Sequence, residues 1–250
     1  MTETEENIIE VKNLVKKFGN FTANDNLCFE VKKSEIFGFL GANGAGKTTA
    51  IKILSGLLFP TSGKVMVAGY DVYKHRNIIK KNIGYMSQGF SLYEDLTVKE
   101  NIEFYAGIYG LRSKEIKFRF AELVEKLGIQ DMQKEFVKSL PLGWKQKIAF
   151  SVAIFHKPKL VFLDEPTSGV DPITRRQFWD LIYEAVENDI TVFITTHYLD
   201  EAEYCDRISI MVDGRIDALG TPAELKQEFN AKNMDEVFVK LVRNNNLQNE

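Results

Sequence analysis

A glycine-rich turn, GANGAGKTT from Gly41 to Thr49, follows the apolar run IFGFL and leads into the helical pattern KTTAIKILSGLL. Few folds place strand, glycine turn and helix in that order. Glycines let backbone N–H groups close around phosphate oxygens, and the N-terminus of the helix behind them adds positive potential. The stretch matches G-x-x-x-x-G-K-[ST] in full. In that pattern Gly41, Asn43, Gly44, Ala45, Gly46 and Thr49 form the phosphate cradle, Lys47 reaches the terminal phosphates of a nucleotide, and the Thr48 hydroxyl ligates Mg²⁺.

The remainder of the chain agrees with an α/β frame. Strand-like runs stand at IIEVKNLV, NLCFEV and EIFGFLGA, then at KVMVAGYDV and NIGYMSQ, and again at KLVFLDE, ITVFITT and RISIMVD. The helix ITRRQFWDLIYEAVEN separates two of the last three, an alternation that implies a parallel sheet. Between them the pattern turns helical from Thr97. Thr97 and Glu100 form a capping box, Ser113 is the expected N-cap of SKEIKFRFAELVEKLG, and Gly128 is its stop. We therefore expect one domain over 1–250. Its mainly parallel core with an N-terminal antiparallel β part covers 1–96 and 157–228, a helical insertion covers 97–156, and a C-terminal helix and tail cover 229–250. The polar end RNNNLQNE is expected to fray.

A second acidic element supports the phosphate reading. LVFLDE places Asp164 and Glu165 at the carboxyl end of a buried strand, where ligands bind in open α/β sheets. Asp164 can hold the Mg²⁺ shell, and Glu165 can orient and deprotonate an attacking water. Taken alone, such a pair also serves as a helix cap.

Gln88 follows the strand NIGYMS, SGVD spans Ser168 to Asp171, and His197 follows FITT. In this order the parts resemble the ATP-binding subunit of ABC transporters, and LDEPTSGVDP with TTHYLDEAEYCDRISIMVDGRI is most similar to the ATPases of ABC-2-type exporters. The resemblance implies that Gln88 contacts Mg²⁺ and the attacking water, that Asp171 belongs to a loop at the dimer interface, and that His197 meets the γ-phosphate. It also implies that Phe18, in KKFGN, stacks on adenine. By itself each of these residues has a plainer role, as a polar strand terminus or, for Phe18, a core aromatic. His75 and His156 show no metal spacing and read as surface or helix-end residues.

One segment departs from the family. Where its signature Leu-Ser-Gly-Gly-Gln is expected, this chain has LPLGW, Leu140 to Trp144, with Pro141 in place of the serine. In the family that signature meets the γ-phosphate of ATP held by the opposite subunit. Proline removes a hydroxyl and an N–H but fits the first turn of a helix. The amides of Leu142 and Gly143 and the helix dipole behind them remain able to grip an anion.

The resemblance implies ATP and Mg²⁺ as cofactors, a polytopic membrane permease and a second ATPase subunit as partners, and a cytoplasmic location peripheral to the membrane through the permease. The permease is expected to dock at GFSLYEDLTVKEN, where Phe90, Leu92 and Tyr93 place apolar groups in a turn-rich stretch beside Glu94 and Asp95, with packing of the same three residues into the core under the helical insertion as the alternative. A net charge of −3 without a block of Lys or Arg argues against nucleic acid as the main partner. Cys28 and Cys205 have no paired spacing, and no apolar run reaches the length needed to span a bilayer. Two other readings stay open at this point: an ABC ATPase acting on ribosomes, DNA or cofactor assembly, and a nucleotide-dependent regulator without turnover.

Overall fold

The protein, seen in a computed structural model, is described over residues 6–89 and 92–248. The chain begins with β1 (Asn7–Phe18) and β2 (Phe21–Lys32), a hairpin, followed by β3 (Ile36–Gly41), α1 (Lys47–Leu54), β4 (Ser62–Val67), β5 (Tyr70–Asp71), α2 (Arg76–Asn82) and β6 (Ile83–Met86). Three helices come next, α3 (Val98–Ile108), α4 (Ser113–Leu127) and α5 (Leu142–Ile154). The chain then returns through β7 (Leu160–Asp164), α6 (Pro172–Glu187), β8 (Thr191–Thr196), β9 (Arg207–Val212), β10 (Arg215–Gly220), α7 (Pro222–Glu228) and α8 (Met234–Gln248).

Two sheets result. The first is antiparallel in the order β2-β1-β4-β5; the second, β10-β9-β3-β8-β7-β6, is parallel except at its β9–β10 edge. Every residue of β3, β7 and β8 is buried, as expected for strands covered on both faces, so their sequences read as apolar runs and not as alternations. Phe193 on β8 centres the layer between the sheets, with its ring 5.3 to 6.2 Å from those of Phe29, Phe37, Phe39 and Phe162. Helices α5, α6 and α8 supply the apolar cover of the opposite face through Phe150, Phe178, Trp179, Val237 and Leu241.

Register determines where chemistry can occur. Asp164 of β7 lies opposite Thr195 of β8, Leu40 of β3 opposite Thr196, and Gly41 opposite Met211 of β9. The carboxyl ends of these strands are therefore level, and everything that follows them emerges along one edge of the sheet.

Several sequence expectations shift in detail. KVMVAGYDV is two strands, because Ala68 and Gly69 both take positive φ (49° and 81°) and turn the chain back on itself. Helix α2 was not foreseen; it is short and its only buried residue is Ile79, so it carries little periodic signal. The capping box of α3 is present as expected. Ser113 is the first helical residue and not the N-cap, since Arg112 is extended and its carbonyl accepts from the Ile116 N–H. Gly128 does close α4, at φ 65°. The end read as a fraying tail continues as helix through Gln248, behind buried anchors at Met234, Val237 and Leu241.

His156, just past α5, is mostly buried. Its ring stacks on Tyr109 with centroids 3.6 Å apart, and Nε2 lies 3.2 Å from the Ile83 carbonyl oxygen. Burial pushes its pKa down to about 4, against the pull of that carbonyl. The unfolded chain, with histidine near about 6.5, therefore binds more protons than the fold between those values, and stability falls as pH drops through that window. His156→Phe is expected to lessen the loss of stability between pH 7 and pH 4.5, read from urea unfolding at a series of pH values; an unchanged slope contradicts the assignment.

Candidate functional site

The turn between β3 and α1 is held from beneath. Asn24 of β2, fully buried, donates from Nδ2 to the Gly46 carbonyl at 3.1 Å. Gly46 has φ 104°, and a Cβ there would lie 2.2 Å from the Ala23 carbonyl oxygen, so the close approach of β2 requires glycine. Lys47 curls back into the turn. Its Nζ donates to the carbonyls of Gly41 (2.7 Å) and Ala42 (3.1 Å) and stands 3.6 Å from Glu165 Oε1. Burial pushes the Lys47 ammonium below its usual pKa, while Glu165 and Asp164 oppose that shift.

The ends of β7 and β8 supply the acidic wall. Thr195 Oγ1 donates to Asp164 Oδ1 at 2.7 Å and accepts from the Glu165 N–H at 3.0 Å. Thr48 Oγ1 is 3.4 Å from the same Asp164 oxygen. Burial raises the Asp164 carboxyl above its ordinary range, with the Thr195 hydroxyl acting against it and the Glu165 charge reinforcing it. Tyr85 on β6 is pushed up to about 12 by burial and the Asp164 charge. Glu165 itself takes a left-handed backbone, φ 49°. Its Oε2 accepts from Gln88 Nε2 at 3.1 Å and lies 3.1 Å from His197 Nδ1. Three residues spread over more than a hundred positions of sequence, Lys47, Gln88 and His197, thus meet on the Glu165 carboxylate. Beside them a cavity of about 330 Å³ is lined by Phe21, Ala23, Asn43, Gly44, Gly46, Lys47, Thr48, Thr49, Gln88 and Glu165.

Comparison with known proteins agrees with this geometry. The family model described as ABC transporter matches residues 24–168, more than half of the chain. The chain belongs to the ABC transporter family. It is 46% identical over 242 residues to the probable multidrug ABC transporter ATP-binding protein YbhF of Escherichia coli (strain K12), covering 95% of this chain and 42% of that one. The chain thus spans less than half the length of that relative. It is 38% identical over 219 residues to the linearmycin resistance ATP-binding protein LnrL of Bacillus subtilis (strain 168), covering 87% of this chain and 70% of that protein. Among solved structures, an ATP-binding subunit of an ABC transporter superposes with a TM-score of 0.85 at 29% identity, covering 94% of this chain and 99% of that one.

In this ABC cassette the segment LPLGW opens α5. Pro141 is the N-cap, with extended ψ of 151°, and so stands just outside the first turn where the sequence suggested it would sit. Its carbonyl accepts from the N–H groups of Trp144 and Lys145. The amides of Leu142 and Gly143, at the first two helical positions, have no intrahelical acceptor within reach. Gly143 also permits contact with α6, since a Cβ there would come within 2.4 Å of Thr174 Cγ2. Trp144 is half-buried against the helical cluster, with the Lys147 ammonium 4.8 Å from its ring centre. Asp171 caps α6, accepting from the N–H groups of Ile173 and Thr174 and from the Thr174 hydroxyl. The Thr174 bonds hold its carboxyl below the usual range. Pro141, Leu142, Gly143 and Asp171 share a surface depression of about 380 Å³ with Trp144 and Thr174, separate from the cavity at Lys47.

Phe18 and Phe21 are the last register pair of the first hairpin, and both are exposed. Phe21 lines the cavity; Phe18 lies outside that lining, with the Lys16 ammonium 4.8 Å from its ring centre. Asn24, Thr195 and Phe21 were not picked out from the sequence. Asn24 stands in the polar run TANDN and Thr195 in the pair that ends TVFITT, so neither carried a local signal that set it apart.

The tightness of the turn can be measured. Gly44 and Gly46 both have positive φ, but a Cβ at Gly44 meets nothing within 4 Å. Gly46→Ala is expected to lose about 2 kcal/mol or more beyond the loss from Gly44→Ala, because strain is common to both and only one also collides with backbone. Urea unfolding of the two variants checks this; equal losses contradict the contact with β2.

Proposed function

We propose that this chain binds and hydrolyses Mg·ATP as the ATPase subunit of an ABC exporter, pairing with a second ATPase subunit and driving a separate membrane permease. The observation that carries this reading is the meeting of Lys47, Gln88 and His197 on Glu165 beside a glycine-lined cavity. The backbone N–H groups of Gly44 to Thr49, with Lys47, bind the phosphates, and the hairpin aromatic Phe18, flanked by Phe21, stacks on the base. Thr48, Asp164 and Gln88 form an oxygen-donor set suited to Mg²⁺, a cation that takes few protein ligands and keeps its waters. When bound, Mg²⁺ neutralises charge on the phosphate oxygens.

Glu165 serves as the base that takes a proton from the attacking water, with Gln88 and His197 fixing the direction of its carboxylate. His197 then faces the transferred phosphoryl group, where a donor counters developing negative charge. The α5 N-terminus, with the free amides of Leu142 and Gly143, and the Asp171 loop act on the nucleotide of the opposite subunit. Without a serine hydroxyl at Pro141 that grip is weaker by about one hydrogen bond to a charged group, on the order of 1.5–3 kcal/mol.

Among the described residues no helix is long and apolar enough to cross a membrane, so transport requires another chain or segment. We place the permease contact beside Gln88. Phe90 lies outside the described residues, and Leu92 is half-buried between two apolar clusters. Tyr93 is 50% exposed and packs edge-on to Phe104 at 5.0 Å, and Phe104 and Ile108 extend the exposed apolar surface along α3. Glu94 and Asp95 are paired with Lys145 and Lys138, so the apolar surface is the anchor and the acids are its rim. Membrane association at the cytoplasmic face follows from that contact.

Glu165→Gln is expected to keep nucleotide affinity while hydrolysis slows about 100-fold or more, since it preserves size and removes the base. Mg·ATP should also hold the variant as a dimer in size-exclusion chromatography, and an unchanged hydrolysis rate rejects the role of Glu165. Tyr93→Asp is expected to abolish co-purification with the permease and permease-stimulated hydrolysis while the isolated subunit stays folded and binds ATP. Normal co-purification and transport would move the docking surface elsewhere.

A further inference from the structure

Helix α2 and the turn before it carry charge that the fold leaves unbalanced. From Lys74 to Lys81 the sequence KHRNIIKK holds four cations and no acid, in a chain whose net charge is −3. Ile79 is the buried residue of the helix; Asn77, Ile78, Lys80 and Lys81 are exposed around its remaining surface, as are Lys74 and His75 just before it. The nearest acid in sequence, Asp71, is turned to the main chain, where Oδ1 accepts from the Tyr73 N–H at 2.7 Å. Among the described residues no ion pair joins Lys74, Arg76, Lys80 or Lys81 to a carboxylate. Elsewhere in the molecule surface lysines are matched, as Lys126 is with Glu184 and Lys145 with Glu94.

Residues 73–78 and Lys80 surround a depression of about 330 Å³ that has no carboxylate in its lining. Apolar groups stand among the cations. Tyr73 and Ile78 line the depression at 40% and 39% exposure, and Phe59 beside it is 47% exposed. Arg76 holds these parts together: its guanidinium lies 4.0 Å from the Phe59 ring centre, and its Nε donates to the Gly56 carbonyl at 2.7 Å. The helix is thereby fixed on the turn that follows α1, and the surface exists before any partner arrives.

Cations interleaved with an aliphatic and an aromatic side chain match the boundary where headgroup phosphates meet acyl chains. Lysine stems lie along apolar surface while their ammonium groups reach phosphate, and a tyrosine ring sits at headgroup level. A nucleic-acid strand would instead call for open aromatic faces on which bases stack, and Arg76 already covers the Phe59 ring. The negative net charge does not oppose a membrane here, because charges farther away than about 8 Å are screened at physiological ionic strength.

We infer that α2 and the turn before it form a contact surface for anionic phospholipid. Headgroup phosphates pair with Lys74, Arg76, Lys80 and Lys81, and Ile78 and Tyr73 enter the interface beside them. A single patch of this kind gives weak, reversible attachment, so it orients and reinforces a chain that is also held by a membrane partner. The contact needs neither nucleotide nor permease, and its failure would leave the hydrolytic reading untouched.

The test is sedimentation of the full chain with sucrose-loaded vesicles, one set of phosphatidylcholine alone and one containing about 40% phosphatidylglycerol. Attachment is expected only to the second, and it should fall about tenfold when NaCl is raised from about 0.1 M to about 0.5 M. Lys74→Gln, Lys80→Gln and Lys81→Gln together are expected to lower partition on the order of 100-fold, since each cation near an anionic surface contributes about fivefold. Neutralising three exposed lysines elsewhere, Lys114→Gln, Lys117→Gln and Lys134→Gln, changes net charge equally and should leave partition within about twofold of wild type. Ile78→Ser should cost about fivefold while the dependence on salt stays the same. Equal sedimentation with both vesicle types, equal losses from the two triple variants, or wild-type partition in Ile78→Ser overturns the proposal. So does a wild-type chain that ignores anionic vesicles; if the α2 triple variant then also loses co-purification with the permease, the cations serve a protein partner and not lipid.

Discussion

A single hydroxyl, that of Thr195, holds the acidic end of the sheet in order. It gives its proton to Asp164 and accepts from the N–H of Glu165, while the Thr195 carbonyl accepts from that same N–H at 3.1 Å. Both acids are thereby fixed to the neighbouring strand at the point where β7 ends. Parallel pairing of β7 with β8 sets Asp164 opposite Thr195, and pairing of β8 with β3 brings the glycine turn to the same level. A slip of one residue in either ladder would turn Thr195 to the other face and separate Lys47 from Glu165. The aromatic layer around Phe193 makes such a slip costly, since it would carry Phe193 out of a contact with four other rings.

The legible parts of this site were those whose chemistry is written in contiguous residues. The glycine turn, the acidic pair and the histidine after FITT each carry their own local pattern, and the strand or helix beside each one follows from periodicity. The family resemblance supplied the order that links them. What stayed hidden depends on contacts between distant segments. Asn24 is one of several polar residues in its strand until β2 is laid under the turn, and Glu201 is one acid in an acidic stretch until α6 covers it. Helix α2 and the last turns of α8 lay outside the sequence reading for a different reason, because their composition is polar and tertiary anchoring at one or a few residues decides their state.

The segment LPLGW, expected from the sequence to differ from the family signature, is in the structure an ordinary helix start. Proline as N-cap leaves the amides of the first helical positions directed outward, and its fixed φ suits the entry of the chain. Gly143 leaves room for the Thr174 side chain of α6, whose methyl would lie 2.4 Å from a Cβ at this position. At Gly143 packing against the Thr174 side chain favours glycine, and at Pro141 the extended backbone of the N-cap suits proline.

Position 165 shows the opposite relation. Its left-handed backbone is one that glycine or asparagine adopts freely and that a glutamate adopts at about 1 kcal/mol or more. The local backbone and the chemistry of the site thus favour different residues, and the glutamate stands where it does against the preference of its own main chain. A sequence optimised for stability alone would drift away from it, so this position is a trade-off in which some thermal resilience is exchanged for a carboxylate held ready at the end of a rigid strand.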